Sequence, residues 1–226
     1  MLGTIVNTCA IIIGSLLGGI LKKGISKKYE LAMLNSCGLA ACGIGLNSIT
    51  SNMTKSQYPI LFIVSLVFGS IIGTKFNLDS KLQNLIKKYT RNALAEGIVS
   101  ATLLFCIGSL SIVGSVMAAL KDDYTFLFTN ASLDFITSII FSSTYGIGIT
   151  IAAFILFTWQ GSIYFLTKYI CMDFFTDDFI VELSIVGGFL ITATGLEILK
   201  IKNIKTINLL PAILILMLFF VIKRFL

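Results

Sequence analysis

The stretch Ala131-SLDFITSIIFSSTYGIGITIAAFILFTWQGSIYF-Leu166 carries one acidic side chain, Asp134, and no basic one. A helix needs about 20 mostly apolar residues to cross a bilayer, and this run is long enough for two. It reads as consecutive membrane spans of about 131 to 149 and 150 to 168. Tyr145-Gly146-Ile147-Gly148 is either a tight turn between them or a break inside one long element.

The rest of the chain has the same character. Of 226 residues 56% are hydrophobic and 12% charged, against roughly 25% charged in a soluble domain, and the mean hydropathy is +0.96. Further spans read at about 4 to 21, 31 to 49, Tyr58-Pro59 to Gly73, 93 to 118, 180 to 199 and 207 to 224. The fold class is therefore an all-α integral membrane protein with seven or eight transmembrane helices in one domain covering 1–226. One segment does not span: from Asn77 to Arg91 the apolar Leu78, Leu82, Leu85, Ile86 and Tyr89 recur at helical spacing, with Lys81, Lys87 and Lys88 on other faces. That pattern predicts an amphipathic helix lying on the membrane surface. It separates a first three-span unit (1–75) from a central pair (93–149) and a second three-span unit (150–226).

Basic residues set the orientation, because cytoplasmic loops are enriched in them. With the N-terminus outside, twelve of the seventeen fall on the cytoplasmic side: Lys22, Lys23, Lys27 and Lys28, five from Lys75 to Arg91, and Lys200, Lys202 and Lys205. The external side receives Lys55, Lys121, Lys168, Lys223 and Arg224, along with Asp122-Asp123 and the cluster Asp173, Asp177, Asp178 and Glu182. Both termini are expected outside, and the surface helix is expected to meet the anionic inner leaflet. Topology thus accounts for the net charge of +6, and nucleic acid is not an expected partner.

Several features argue against chemistry. The five cysteines (Cys9, Cys37, Cys42, Cys106, Cys171) form no CxxC pair, and the chain has no histidine, so neither a zinc site nor a disulfide framework is expected. No nucleophile stands beside an evident base, and no nucleotide-binding loop is present. An enzyme is disfavoured, no cofactor is implied, and any transport would run on gradients.

Internal echoes suggest architecture. Gly38 and Gly45 in the second span are seven apart, as are Gly188 and Gly195 in the seventh, and the next span opens on a proline in each case, Pro59 and Pro211. Gly14-Ser15 precedes Lys22 as Gly161-Ser162 precedes Lys168. In the central pair, Glu96-Gly-Ile98-Val-Ser100 leads to Gly108, and Asp134-Phe-Ile136-Thr-Ser138 leads to Gly146. Since the matched spans run in opposite directions, the expectation is an inverted repeat: spans one to three against six to eight, and four against five.

Gly14xxxGly18, Gly69xxxGly73 and the glycines of spans two and seven are expected to let helices approach closely, and such faces leave room for a homo-oligomer. Span eight has no glycine and is expected to face lipid. The central segments Gly108-Ser109-Leu-Ser111 and Ser142-Ser143-Thr144-Tyr145-Gly146 combine helix-weakening glycine with hydroxyls. Irregular backbone at membrane depth belongs inside protein or beside a watered cavity. The alternative is simple packing, with each hydroxyl bonded to its own helix. The candidate pathway for a solute or ion is Glu96, Ser100, Gly108, Ser109, Asp134, Ser138, Ser142, Ser143, Thr144 and Gly146, with the acids in the first turns of their helices near opposite mouths and the two glycines near the midplane. Glu197 ranks lower because Lys200 lies one turn away as a partner.

The opening Met1-Leu2-Gly3-Thr4-Ile5-Val6-Asn7, the segment Ala95-Glu96-Gly97 through Leu103-Leu104-Phe105-Cys106 with Gly108, and Asp134 with Gly146-Ile147-Gly148 resemble the bacterial YdfK/YqgA family. So do Gln160-Gly161-Ser162, Glu182-Leu183-Ser184 with Gly187-Gly188, and Asn208-Leu209-Leu210-Pro211-Ala212. The resemblance covers essentially the whole chain. It implies a bacterial inner-membrane protein of a family with largely unassigned function, whose members often carry the label of transporter. One departure is Phe135, where the family tends to have glycine, so close helix packing is not expected there. Two functional classes remain open: a small-solute or ion transporter or channel, and a membrane scaffold or accessory subunit.

Overall fold

The computed structural model describes residues 1–21, 25–81, 84, 93–170, 176–202 and 204–225; the side chains of residues 93, 96, 107, 170 and 225 are outside that set. The elements in chain order are α1 (Leu2–Ile20), α2 (Lys27–Met53), α3 (Leu61–Lys75), α4 (Ala93–Ile107), α5 (Ser109–Lys121), α6 (Thr125–Tyr145), α7 (Ile151–Phe165), α8 (Asp177–Ile198) and α9 (Pro211–Phe225). Short 3-10 turns at Ile147–Thr150 and Thr206–Leu209 lead into α7 and α9, and a π-turn at Leu166–Ile170 follows α7. No strand occurs among the described residues.

Among the described residues six segments are long and apolar enough to cross a membrane: Leu2–Ile20, Lys27–Met53, Thr125–Tyr145, Ile147–Tyr169, Asp177–Ile198 and Thr206–Arg224. Gly97–Cys106 and Ser109–Lys121 meet at a 45° bend and make a seventh if they form one broken span. The expected third span is the shorter apolar helix α3, whose 15 residues reach about 22 Å at 1.5 Å per residue, short of the roughly 30 Å hydrocarbon layer. The expected surface helix from Asn77 to Arg91 lies for the most part outside the described residues, as do Lys22, Lys23, Cys171 and Asp173.

Glycine decides how the helices pair. On α1, a Cβ at Gly14 would come within 2.6 Å of the Phe135 carbonyl oxygen, and one at Gly18 would strike the Ile139 carbonyl. α1 therefore lies directly on the backbone of α6. Close packing does occur at Phe135, contrary to expectation, because α1 supplies the glycine that the position itself lacks. α2 crosses α8 in the same way and reciprocally: a Cβ at Gly195 would sit 2.7 Å from the Gly38 carbonyl, and one at Gly188 would sit 2.8 Å from the Gly45 carbonyl. Gly69 and Gly73 of α3 rest on Ala212 at the start of α9 and on Asn208 just before it. Such contacts give van der Waals packing where the hydrophobic effect between helices is weak.

The larger apolar core gathers around α8 through Leu183, Val186 and Leu190, with Val113 of α5 and Leu216 of α9. A second joins Ile11 of α1, Ala101 and Phe105 of α4, and Ala152 and Leu156 of α7. α9 exposes Leu214, Leu218 and Ile222, consistent with a lipid-facing helix.

The question of spans five and six resolves into two helices. Gly146, at φ +96° and ψ 170°, adopts a conformation essentially reserved for glycine and separates α6 from the turn that starts the next span. The fifth span begins earlier than expected, at Thr125 rather than near 131. Its first amide, Thr125 N–H, donates to Asp123 Oδ1 at 2.9 Å, so Asp123 satisfies a donor that the helix itself leaves open.

Candidate functional site

The earlier start of α6 changes the meaning of Asp134. The carboxylate is the tenth residue of a 21-residue helix, not a first-turn cap, and lies about 14 Å along the axis from the helix start. It is 4% exposed. Its Oδ2 accepts Nδ2–H from Asn7 of α1 at 2.9 Å and from Asn130, one turn earlier on α6, at 2.7 Å. Hydrogen bonds to a charged group contribute about 1.5–3 kcal/mol each, yet an unpaired buried ion still carries a penalty of several kcal/mol. The ion pairs among the described residues are Lys121–Asp177, Lys205–Asp79 and Lys223–Asp178, and none involves Asp134.

Asp134 lines a cavity of about 580 Å³ that borders the break between α4 and α5. Gly108, the break residue, lines it with Ser100 and Ser109, and α8 contributes Thr194 and Glu197. Ser109 Oγ lies 3.2 Å from Thr194 Oγ1, which ties the start of α5 to α8. Glu30, Lys200 and Thr206 also line the cavity. Glu197 is not paired with Lys200 as expected: its Oε2 accepts from Thr206 N–H at 3.2 Å and Thr206 Oγ1–H at 2.8 Å. The backbone fold after α8 brings Thr206 to it, which local spacing does not reveal.

Of the ten expected pathway residues, Ser100, Gly108, Ser109 and Asp134 meet at this cavity. The side chain of Glu96 lies outside the described residues. The other hydroxyls are fasteners: Ser138 donates to Phe135 O at 2.8 Å, Ser143 and Thr144 to Ile140 O at 2.8 and 3.1 Å, and Ser142 across to Ser15 O at 2.6 Å. Gly146 ends α6, with no atom within 4 Å of a Cβ placed on it. Each of the two glycines terminates a helix, Gly108 after α4 and Gly146 after α6.

Buried polar groups beyond these were not anticipated. Asn7 is wholly buried, and its Oδ1 has no hydrogen-bond partner among the described residues. Gln160 of α7, also wholly buried, donates to Ser111 Oγ at 2.9 Å. Asn7 is the one carboxamide in a first span whose other polar side chains are the hydroxyls of Thr4, Thr8 and Ser15, and that was the signal that could have singled it out. Glu182, expected in an external acidic cluster, is wholly buried in α8. Its Oε1 accepts from Tyr58 N–H at 3.2 Å and from the Ser56 hydroxyl, and so anchors the loop before α3.

Broken helix, buried carboxylate and glycine-sealed helix pairs together define a multi-span α-helical membrane protein. The chain belongs to the family described as a protein of unknown function, DUF554, which matches residues 2–221. It is 52% identical over 215 residues, 95% of this chain and 93% of the relative, to "Uncharacterized membrane protein YdfK" of Bacillus subtilis (strain 168). It is 28% identical over 228 residues, 96% of this chain and 95% of the relative, to "Uncharacterized protein YqgA" of Escherichia coli (strain K12). No solved structure matches the chain.

Proposed function

We propose that the chain is a gradient-driven transporter or channel for a small solute or ion, with its pathway through the cavity between the α4–α5 break, α6 and α8. The observation that carries this is Asp134: a buried carboxylate, without a cation partner among the described residues, on the wall of a cavity beside a broken helix. Ionisable groups placed so are conserved for ion and substrate routes in membrane proteins as a class, and broken helices recur at transporter sites. The reciprocal crossing of Gly38 with Gly195 and Gly45 with Gly188 supports the inverted-repeat reading, because a two-fold axis exchanges exactly such contacts. The second reading, a non-transporting scaffold, draws on the sealed serines of α6.

In this proposal the protein sits in a bacterial inner membrane with both termini external, does no covalent chemistry, and leaves homo-oligomers open through its glycine faces. The cavity residues Glu30, Lys200 and Thr206 then belong to the cytoplasmic side. Single cysteines at Lys27 and Asp123, in a background without native cysteines, should label from opposite sides of intact cells. The function itself is tested by flux into liposomes against a panel of ions and small solutes. Flux that Asp134→Asn abolishes in a monodisperse protein is the expected result. A flux unchanged by that substitution removes this pathway and favours the scaffold.

A further inference from the structure

The cavity has a pronounced chemical bias. Three carboxylates, Glu30, Asp134 and Glu197, face it against one lysine, Lys200. Ten of its twenty-one lining residues are Leu, Ile or Phe. An anion would meet repulsion here, and a neutral solute would leave the Asp134 charge uncompensated. A bare metal ion fits poorly as well. Among the described residues no group of three His, Cys, Asp or Glu side chains could hold one, and about 580 Å³ falls in the 300–1,000 Å³ range of organic-ligand pockets.

The carboxylate is also presented for a cation. Both carboxamide donors go to Oδ2, and Oδ1 receives no hydrogen bond from the described residues although the residue lines the cavity.

We infer that the cavity takes a monovalent organic cation with an apolar body, and that a proton competes with this cation for Asp134. The inference rests on the pathway reading and names its substrate class. Leu103, Leu133 and Phe141 cover the apolar body while the carboxylate compensates the charge. One carboxylate compensates one charge, so the exchange balances: proton uptake on Asp134 releases the cation, and cation entry releases the proton. Occupancy by both is disfavoured, which is the thermodynamic requirement for exchange between them.

The titratable groups facing Asp134 from the surrounding elements are few. α4 brings Cys106, close enough for the two groups to interact electrostatically. α2 brings Glu30, and α8 brings Glu197 with Lys200 across the cavity. Of the other titratable side chains on the surrounding elements, Cys9 of α1 is exposed and Lys121 at the end of α5 pairs with Asp177.

The test is equilibrium binding of tetraphenylphosphonium to the full chain in nanodiscs, with tetraphenylborate as a probe of the same shape and opposite charge. The expected result is one saturable site per chain whose dissociation constant rises about tenfold for each unit the pH falls once protons occupy the carboxylate. Tetraphenylborate should not displace the cation, and Asp134→Asn should weaken binding at least tenfold in a monodisperse protein. The pH and tetraphenylborate arms need no variant, so they decide the matter even if the substitution impairs folding. Binding of both probes alike, binding indifferent to pH, or displacement by Na⁺ but not by protons would each overturn the inference. Flux of another solute that depends on Asp134, with no tetraphenylphosphonium binding, would overturn it and leave the pathway reading intact. Asp134-dependent binding without flux of any solute would do the reverse.

Discussion

The two faces of α6 use polar side chains in opposite ways. Toward α1, Ser142 donates across to Ser15 O, Ser138 closes onto its own helix, and Gly14 and Gly18 bring the two backbones together. Toward the cavity, Asn130 and Asp134 line open space, beside Thr137, whose hydroxyl closes onto Leu133 O of its own helix. A hydroxyl satisfies itself on the nearest carbonyl and disappears into the packing. A carboxylate has no donor to offer while charged, so it must recruit Asn7 from another helix and still keeps an unfilled oxygen. A serine-rich membrane helix therefore says little about function, whereas a mid-helix acid with imported donors says a good deal.

The sealed face should be the more fragile. Gly18→Val would drive a side chain into the Ile139 carbonyl and to within 2.9 Å of Ser142 Cβ. Overpacking costs about 1–3 kcal/mol and occasionally more, and here the obstacle is backbone, so about 3 kcal/mol is expected. In a chain of this size that lowers Tm by about 10 °C, readable in detergent by a thermal melt with loss of monodispersity. A variant that melts like the parent would mean that α1 and α6 are not locked together at Gly18.

Second in size comes Asn7→Ala, which leaves the packing but removes one of the two donors to Asp134. Losing a hydrogen bond to a buried charge costs about 1.5–3 kcal/mol. The same melt should fall by less than in Gly18→Val, and Asn7→Ala combined with Asp134→Asn should recover part of the loss, because the charge that needed the donor is gone. Strictly additive losses would mean that Asn7 does not serve Asp134.

Much of the sealed face was legible in sequence, and little of the open one. The seven-residue spacing of Gly38 and Gly45, repeated in Gly188 and Gly195, became the α2–α8 crossing, and Gly146 broke the long apolar run where its context suggested. Packing glycines announce themselves because small residues stand out in apolar sequence. Asp134 was identified but misplaced, since the mixed segment Thr125-Phe-Leu-Phe-Thr-Asn130 hid the true start of α6 and turned a mid-helix acid into an apparent cap. Its partner Asn7 lies 127 residues away, and Glu197 found Thr206 through the chain's return rather than through helical spacing. Local periodicity carries no information about either pairing.

Asp134→Asn should barely change stability while changing function. Asparagine keeps a carbonyl oxygen in place of Oδ2, able to accept from both Asn7 and Asn130, and it removes a buried charge. A shift within about 1 kcal/mol is expected, since the desolvation cost of the unpaired charge disappears together with the charge assistance to its two hydrogen bonds. The same protein should lose cation binding at least tenfold, which separates a functional acid from a structural one. A loss of stability as large as that of Asn7→Ala would assign Asp134 to the scaffold.

The smallest effect is expected at Ser142→Ala. The hydroxyl donates to Ser15 O at 2.6 Å and is 1% exposed, which by distance and burial looks important. Interhelical hydrogen bonds within membranes nonetheless average only about 0.6 kcal/mol. The Ser15 carbonyl sits within α1 (Leu2–Ile20) and keeps its bond within that helix when the hydroxyl is removed. Gly18 continues to hold α1 against the backbone of α6, so the melt should move by about 2 °C or less and cation binding should be unchanged. A change in binding without a change in melt would move Ser142 from the sealed face to the working one, and the contrast between the two faces of α6 would fail at that residue.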